Sequence, residues 1–503
     1  MGLVAAVFLF GCLCSSENPA SIFGARSTNT PSQVAAITAT PSPTITASAT
    51  PFLTPSPTAL SAAEIGAPGI GDPYFPDMGN GGYDVLNYDL TLNVDMTEGT
   101  IQAKVEISAR SLQTLGRFDL DLNGFTITSV EVNGEDAVFE HDQGELVVTP
   151  PELISEGALF TVDVQSEGAP GNQTQNGSEN YVDGWNFYPG GVIVAGEPGG
   201  AETWFPSNNH PSDKATYAFH ITVAKPFIVA ANGVLRGKTD RGDGEWTFDW
   251  AMDEPMASYL ATIAISNFTL MESKSPKGVP IRDYVDADIP SNILQPLQVL
   301  PAALDYFTSI FGAYPFENCG AVVHEFPLNF SLEDQTLIIF GDTFLDDQVV
   351  VHELSHQWFG DSVSLLEWRD IWLNEGFASY AEVLWLEHTQ GAKAMREDLA
   401  RRYQYSADIP SSQSVLIGDP GPDHLFDQLV YNRGALTLHA LRRKVGDTAF
   451  YKILRDYYDR YRNGNATTAD FIVVAEDTSG QDLSGFFHEW LYSFPLPDIP
   501  ELD

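Results

Sequence analysis

The first half of the chain alternates apolar and polar positions with the two-residue period of β-strands. Every second residue is apolar in three early runs: Tyr88, Leu90, Leu92 and Val94; Ile101, Ala103, Val105 and Ile107; Phe118, Leu120 and Leu122. The pair Asn133-Gly134 is typical of a two-residue hairpin turn. Because this pattern continues to about Ser266, it predicts an N-terminal antiparallel β-sandwich or saddle-shaped domain over residues 66–266.

From about residue 267 the apolar period lengthens to that of α-helices. Two sets of apolar residues each fall on one helical face: Val299, Leu300, Ala303, Leu304, Phe307 and Phe311; Phe450, Ile453, Leu454, Tyr457 and Tyr461. We expect Asp447 to cap the second of these helices, and Thr468 to begin a further helix that runs toward Gly480. Residues 267–503 are therefore predicted to form a mainly helical second domain, without an internal repeat and without a membrane-spanning segment.

The first 65 residues differ from the rest of the chain in composition. Residues 1–14 contain an apolar stretch of signal-peptide length, and its Leu-Phe-Gly-Cys12 end resembles the lipobox of bacterial lipoproteins, in which the cysteine is lipidated. Residues 15–65 are rich in Ser, Thr, Pro and Ala, which predicts a disordered tether. An anchor followed by a spacer predicts an extracytoplasmic lipoprotein, held to the membrane only through Cys12. The alternative is a disordered apolar tail with two incidental cysteines.

The chain is strongly acidic. Its 503 residues include 68 Asp and Glu against 25 Lys and Arg, which gives a formal net charge of −43. Because binding to phosphates requires clustered Lys and Arg, we expect no nucleic-acid partner and no docking surface for anionic lipid. With 3 cysteines, two of them within the first fourteen residues, no disulfide framework is predicted. The third, Cys319, is expected to be a buried thiol.

The segment VVHELSH at residues 350–356 has the spacing of a zinc site. Residues i and i+4 of a helix share a face, so His352 and His356 can direct two imidazoles at one ion. A catalytic zinc takes three protein ligands and leaves one position for water. Glu353 is placed beside that position, where its carboxylate can accept a proton from the water. The alternative at this point is an amphipathic helix that carries two histidines without a metal.

The third ligand decides between these alternatives. A metzincin requires a glycine three residues after His356 and a histidine three residues further on, but Phe359 and Ser362 stand there. Instead the segment Asn-Glu375-Gly follows on a second predicted helix. An acidic ligand from a neighbouring helix completes a two-histidine, one-carboxylate set like that of thermolysin-type enzymes. We therefore assign one Zn²⁺ ion to His352, His356 and Glu375.

These motifs carry a resemblance to a known family. HELSHQWFGDSV followed by WLNEGFASYAE resembles the signature of the aminopeptidase N family, the gluzincin zinc aminopeptidases, in which the glutamate matched by Glu375 is the third ligand. The resemblance covers nearly all of residues 66–503. It implies an N-terminal β domain followed by a thermolysin-like α+β catalytic domain that is mainly helical. The large C-terminal helical domain of longer members has no counterpart, so we expect a short form with a more open cleft.

Two further segments resemble the parts of this family that bind the free α-amine of the substrate. FSLED at residues 330–334 resembles the GAMEN segment and implies that Glu333 binds the amine. A buried anion beside zinc stabilises an ammonium group and confines cleavage to the first peptide bond. GEP at residues 196–198 resembles the second amine-binding region, although Ala195 replaces a glutamine, and makes Glu197 the second candidate. The alternatives are ordinary surface or turn carboxylates.

The segment VYNRGAL at residues 430–436 resembles the family's segment of a tyrosine followed by a basic residue, glycine and alanine. The resemblance implies that the hydroxyl of Tyr431 stabilises the oxyanion, a hydrogen bond that is worth more in the transition state than in the ground state. A tyrosine on an apolar helical face is otherwise a core residue, and that is the alternative here.

Together these patterns predict a zinc-dependent aminopeptidase that acts on peptides, with Glu353 as general base and Tyr431 as oxyanion stabiliser. Two rival functions stay open. A thermolysin-like endopeptidase would also cleave N-acetylated peptides. A non-catalytic binding lipoprotein on the same fold would be expected to have lost a ligand or Glu353, and neither is lost. An epoxide-hydrolysing activity is known in one branch of the relatives, but no residue here points to it.

Overall fold

The computed structural model describes the following residues of the chain: 61, 64–142, 144–173, 183–326, 328, 330–341 and 345–499. The predicted signal segment with Cys12 lies outside them, as does the predicted tether apart from residues 61, 64 and 65. Within the described ranges, no helix has the length and apolarity that crossing a membrane requires.

The first half of the described chain consists of strands that form three sheets. Their bounds are Tyr83–Asp95 (β1), Thr100–Ser111 (β2), Phe118–Asp121 (β3), Thr126–Val132 (β4), Glu135–Asp136 (β5), Val138–Asp142 (β6), Glu145–Thr149 (β7), Leu159–Gly168 (β8), Asn172–Gln173 (β9), Asp183–Tyr188 (β10), Gly191–Ala195 (β11), Lys214–Ala224 (β12), Ile228–Ala231 (β13), Val234–Asp240 (β14), Glu245–Ala257 (β15) and Ile263–Ser266 (β16). The sheets have the orders β14-β15-β12-β1-β2-β8-β4-β5, β13-β16-β11-β10-β9 and β3-β7-β6. Neighbouring strands in these described sheets are antiparallel, except that β1 pairs with β12 in parallel.

Burial follows the alternation that the sequence predicted. In β1 the apolar Leu90 and Leu92 are buried, whereas Thr91 between them is exposed. The predicted hairpin turn joins β4 to β5, with φ angles of 54° at Asn133 and 79° at Gly134. Positive φ at both central residues is what a type I′ turn requires, which is why Asn-Gly is favoured there.

The second half of the described chain is mainly helical and contains a smaller, mixed sheet. The strands of this half are Phe268–Lys274 (β17), Pro280–Asp286 (β18), Cys319–His324 (β19), Ser331–Leu332 (β20), Ile338–Gly341 (β21), Val363–Leu365 (β22) and Gly464–Ala466 (β23). Its helices are Leu300–Ile310 (α1), Asp347–His356 (α2), Trp372–Gln390 (α3), Ala392–Asp408 (α4), Gln428–Val445 (α5), Asp447–Tyr461 (α6), Thr468–Ser479 (α7) and Ser484–Tyr492 (α8). The sheet has the order β17-β18-β19-β21-β20. Cys319 is a buried free thiol, as expected. The exact domain limits stay predictions.

The helix ends correct one prediction and confirm another. Helix α6 is capped by Gly446, which has a φ of 83°, and Asp447 is the first helical residue rather than the cap. The side chain of Asp447 instead accepts two hydrogen bonds from Arg442, because a guanidinium is a stronger partner than a backbone amide. Helix α7 begins at Thr468 as predicted, after a side-chain cap by Thr467.

Two glycines let helices α3 and α5 approach backbone to backbone. A Cβ atom built on Gly376 would lie 2.9 Å from the Cα of Gly434, and one built on Gly434 would lie 2.6 Å from the Cα of Gly376. Any larger residue at either position would push the helices apart. This contact holds two side chains close together, because Glu375 precedes Gly376 and Tyr431 lies almost one turn before Gly434.

Candidate active site

Helix α2 presents two imidazoles on one face. Its N-terminus is capped by Asp346, whose side chain accepts hydrogen bonds from the backbone N–H groups of Gln348 and Val349 at 2.8 and 2.9 Å. His352 and His356 are both buried, and their ring centroids lie 4.9 Å apart. Since the two residues are one helical turn apart, both rings can reach a single ion, as the spacing predicted.

Glu375 reaches the same point from the first turn of α3. Its Oε2 atom lies 3.2 Å from Nε2 of His352 and 3.7 Å from Nε2 of His356. The structure thus brings the three predicted zinc ligands together from two separate helices.

Each imidazole is oriented through its second nitrogen. The Nδ1–H of His352 donates to Oε1 of Glu382 at 2.7 Å, and the Nδ1–H of His356 donates to the backbone carbonyl of Phe359 at 3.2 Å. When Nδ1 carries the proton, Nε2 offers its lone pair to a metal. Both Nε2 atoms therefore face the carboxylate of Glu375 as ligands.

This set of atoms fits a zinc ion. Zinc binds imidazole nitrogen and carboxylate oxygen at about 2.0–2.2 Å with tetrahedral geometry, which places the ligand atoms about 3.3 Å apart. The separations of 3.2 and 3.7 Å in the structure are close to that value. The described residues also form two overlapping groups that consist mainly of carboxylates: Glu333, Glu353 and His356; Glu197, Glu333 and Glu375. Among these described groups, the one with His352 and His356 offers two of the nitrogen donors that suit zinc, whereas the others offer one or none.

Glu353 lies next to these ligands as a buried carboxylate. Burial raises its pKa well above the ordinary value, and the negative charges of Glu333 and Glu375 raise it further against the opposing effect of His352. A carboxylate with a raised pKa is a stronger proton acceptor than an exposed glutamate, which suits a general base at neutral pH.

Glu333 and Glu197 add two more buried carboxylates at this point. Their ligand oxygens and that of Glu375 lie within 4.8 Å of one another, and Oε1 of Glu333 has no hydrogen-bond partner within the part of the chain that the structure describes. Burial raises the pKa of both groups, and the charge of Glu333 adds to the shift at Glu197. A buried carboxylate is costly without a cation, so this pair favours a positively charged ligand.

The turn after β11 holds Glu197 in this position. A Cβ atom on the preceding Gly196 would lie 2.0 Å from the carbonyl oxygen of Tyr259, so only glycine allows the chain to pass there. The β-rich half of the described chain thereby contributes a side chain to a cavity whose other lining residues all come from the second half.

Tyr431 lies against His352 from the first turn of α5. The two rings are stacked, with centroids 5.9 Å apart and an interplanar angle of 23°, and the tyrosine hydroxyl is directed at the carboxylate of Glu375. Burial raises the pKa of Tyr431 well above its ordinary value, and the charge of Glu375 raises it further. The phenol therefore stays protonated and can donate a hydrogen bond.

All seven predicted site residues line one cavity of about 420 Å³. Its lining residues are Glu197, Phe330, Ser331, Glu333, Asp346, Gln348, Val349, His352, Glu353, His356, Glu375, Glu382, Gln428 and Tyr431. The described lining contains several carboxylates and no Lys or Arg, which produces a negative potential in the cavity. Such a cavity attracts a metal cation and an ammonium group.

Comparison with known proteins assigns this arrangement to a family. Residues 85–260 match the peptidase M1 N-terminal domain, and residues 298–490 match the peptidase family M1 domain. A two-domain M1 zinc metallopeptidase, solved as a mutant bound to L-tryptophan, is 30% identical, with 86% of this chain and 99% of that chain covered at a TM-score of 0.80. The chain belongs to peptidase family M1.

Other relatives of this M1 peptidase agree with the assignment. A mutant M1 zinc metallopeptidase from Deinococcus radiodurans, bound to a Tyr-Ser-Ala substrate, is 29% identical over 86% of this chain and 100% of that chain, with a TM-score of 0.81. Human glutamyl aminopeptidase is 28% identical over 61% of this chain and 34% of that protein. Bovine glutamyl aminopeptidase is 26% identical over 82% of this chain and 47% of that protein. The chain thus spans about a third to a half of the length of these curated relatives.

The comparisons confirm the predicted family and fold class. The M1 peptidase has a mostly β N-terminal domain followed by a helical catalytic domain, which is the order found in its structural relatives. The structure also brings all seven predicted site residues together, while the role of each one stays a prediction.

Sequence reasoning missed Glu382, which holds His352 in this M1 peptidase. Glu382 follows Glu375 by seven residues, which is two turns along the same face of α3, so this spacing was the available signal. Phe330, Gln348 and Gln428 also line the cavity. Gln348 precedes His352 by four residues on α2, and Gln428 precedes Tyr431 by three on α5, so helical spacing was an available signal for both.

Proposed function

We propose that this chain is a zinc-dependent aminopeptidase that hydrolyses the N-terminal peptide bond of peptides. The observation that carries the proposal is the pair of buried carboxylates, Glu333 and Glu197, beside the two-histidine, one-carboxylate group. A free α-amine at this point pairs its positive charge with both anions. A blocked amine carries no positive charge and would forgo this attraction to the two carboxylates. Relatives bound to L-arginine, L-tryptophan and Tyr-Ser-Ala support peptides as the substrate class.

The residues of the cavity divide the catalytic work among them. His352, His356 and Glu375 would hold one zinc ion. When bound, zinc polarises the scissile carbonyl and lowers the pKa of the attacking water. Glu353 accepts the proton of that water on its carboxylate and returns it to the leaving amine. Tyr431 donates a hydrogen bond to the carbonyl oxygen as negative charge develops there.

A panel of fluorogenic aminoacyl substrates tests the proposed function. Each substrate is assayed beside its N-acetylated form and beside a sample treated with a zinc chelator. We expect cleavage of the free-amine substrates, little or no cleavage of the acetylated forms, and recovery of activity when zinc is added back. Equal cleavage of both forms would identify an endopeptidase instead. No cleavage of any substrate by the zinc-loaded protein would favour the binding lipoprotein.

We also propose that the protein is an extracytoplasmic lipoprotein anchored through a lipid on Cys12. The lipobox-like end of residues 1–14 and the Ser/Thr/Pro-rich composition of residues 15–65 support this location. Expression in a bacterial host with a labelled palmitate analogue should label the wild type and not the Cys12→Ala variant. Equal labelling of the two would refute the anchor.

A further inference from the structure

His352 is the inner end of a chain of charged side chains that crosses three helices. Its Nδ1–H donates to Oε1 of Glu382 on α3, and Oε2 of Glu382 accepts a hydrogen bond of 2.5 Å from Nη2 of Arg402 on α4. Nε of Arg402 donates to Oδ2 of Asp398 at 2.8 Å. Nη1 of Arg402 donates to Oδ1 of Asn432 on α5 at 3.3 Å. One guanidinium therefore joins α3, α4 and α5 behind the metal group.

We propose that Arg402 is a positioning residue of the zinc site: it fixes the Glu382 carboxylate as the acceptor for Nδ1 of His352 and so directs Nε2 toward the metal. Arg402 acts only through Glu382, because its described hydrogen bonds reach no zinc ligand. The inference rests on the zinc-dependent function proposed above.

The burial of the pair makes this contact consequential. The side chains of Arg402 and Glu382 are 12% and 14% exposed. A carboxylate taken out of water needs a charged partner with good geometry, and removal of that partner leaves a buried charge uncompensated. The planar guanidinium contacts Glu382 and Asp398 at the same time, with different nitrogens, which a lysine ammonium on a flexible stem does not reproduce.

Loss of Arg402 should therefore weaken zinc binding. Glu382 would turn toward solvent or bind a proton, and His352 would lose the acceptor that sets its ring orientation and its tautomer. Loss of the acceptor that orients a metal-ligating histidine typically weakens metal binding by about 10–100-fold. Loss of Arg402 would also remove the hydrogen bond to Asn432, which is the residue next to Tyr431 on α5.

Arg401 provides a matched control in the adjacent position. Its Nη2 donates to Oδ1 of the same Asp398 at 2.6 Å, but its side chain is 67% exposed and its described ion pair is with Asp398 rather than Glu382. Arg401→Met and Arg402→Met therefore remove the same group from the same helix. Only the second change removes the partner of Glu382.

The test measures the zinc dissociation constant of each variant by competition with a fluorescent chelator, and the urea midpoint of each zinc-free protein. We expect zinc binding about 10–100-fold weaker in Arg402→Met, less than twofold weaker in Arg401→Met and intermediate in Arg402→Lys. In a Glu382→Gln background, Arg402→Met should cause little further loss of zinc affinity, since Arg402 acts on the metal site only through Glu382.

Three outcomes would overturn the inference. They are equal zinc affinity of Arg402→Met and Arg401→Met, fully additive losses in the Glu382→Gln background, and wild-type affinity in Arg402→Lys if Arg402→Met fails to fold. A wild-type protein that binds no zinc would instead contradict the proposed function, so the two failures are distinguishable.

Discussion

Glu353 combines burial with a position beside the three predicted zinc ligands. Its neighbours His352 and Glu375 are committed to the metal group, whereas the Glu353 carboxylate is outside that set and carries a raised pKa. A buried carboxylate beside the metal group suits the proposed role of general base, and replacing it with an amide would leave all three predicted ligand side chains in place.

Replacement of Glu353 by Gln should lower kcat by a factor of about 10²–10⁴, because an amide of nearly the same shape cannot accept the proton. Zinc content should stay at the wild-type level. Steady-state kinetics and elemental analysis measure the two quantities on the same sample. Loss of zinc would make Glu353 a ligand, and wild-type turnover would refute its role as the base.

Glu333→Gln should reduce kcat/KM for free-amine substrates by about 10–100-fold, since a hydrogen bond to a charged group contributes about 1.5–3 kcal/mol. The ratio of kcat/KM for free-amine substrates to kcat/KM for their acetylated forms should also fall. Glu325→Gln is the control, because it makes the same change at an exposed position outside the cavity. Equal effects of the two substitutions would speak against amine binding by Glu333.

The contact between α3 and α5 is the element-level basis of the site. It depends on Gly376 and Gly434, and it holds Glu375 and Tyr431 against the imidazole of His352. Glycine within a helix is normally unfavourable by roughly 0.5–1 kcal/mol relative to alanine. Here the close approach of two backbones outweighs that intrinsic preference.

Gly434→Ala should therefore destabilise the protein by about 1–3 kcal/mol through overpacking. Gly485→Ala in α8 is the matched control, because a Cβ there meets no neighbouring atom, and it should stabilise the protein slightly. Urea denaturation at one pH measures both. Stabilisation by both substitutions would mean that α3 and α5 separate without cost.

Buried carboxyl groups couple the stability of the whole molecule to pH. Asp283 on β18 is buried, and its Oδ1 has no hydrogen-bond partner among the side chains and backbone that the structure describes. Burial raises its pKa to about 7 from an ordinary value of 3.8. Between those two pH values the folded protein keeps a proton that the unfolded chain releases. Its contribution to stability is therefore complete below about pH 3.8 and is lost as the pH rises through about 7.

Asp283→Asn should remove this pH dependence. The free energy of unfolding of the variant minus that of the wild type should increase by about 3 kcal/mol from pH 5 to pH 8.5, because only the wild type loses stability over this range. Parallel urea denaturation curves at the two pH values measure it. Asp288→Asn, the same change at an exposed position nearby, should show no such widening. A constant difference between Asp283→Asn and the wild type would contradict the assignment.

Local patterns predicted the features that depend on neighbours along the chain. The period of two residues predicted the strands, Asn133-Gly134 predicted a turn, and the four-residue spacing placed His352 and His356 on one face. These succeed because the geometry of a helix or a hairpin is set within a few residues. The prediction that Asp447 caps α6 was wrong because a side chain outside the local capping pattern intervenes. Arg442 donates hydrogen bonds to the Asp447 carboxylate, which therefore does not cap the helix.

Spacing and motif therefore identified the family and predicted a set of ligands and a base, because those predictions depend on short-range geometry and residue type. Packing between distant segments decided the parallel pairing of β1 with β12, the arrival of Glu197 beside the metal group and the link from Arg402 to His352. It also set the burial that raises the pKa of Asp283. Whether a charged group or a backbone group is buried depends on residues that are distant in the sequence, so the local sequence pattern does not predict it.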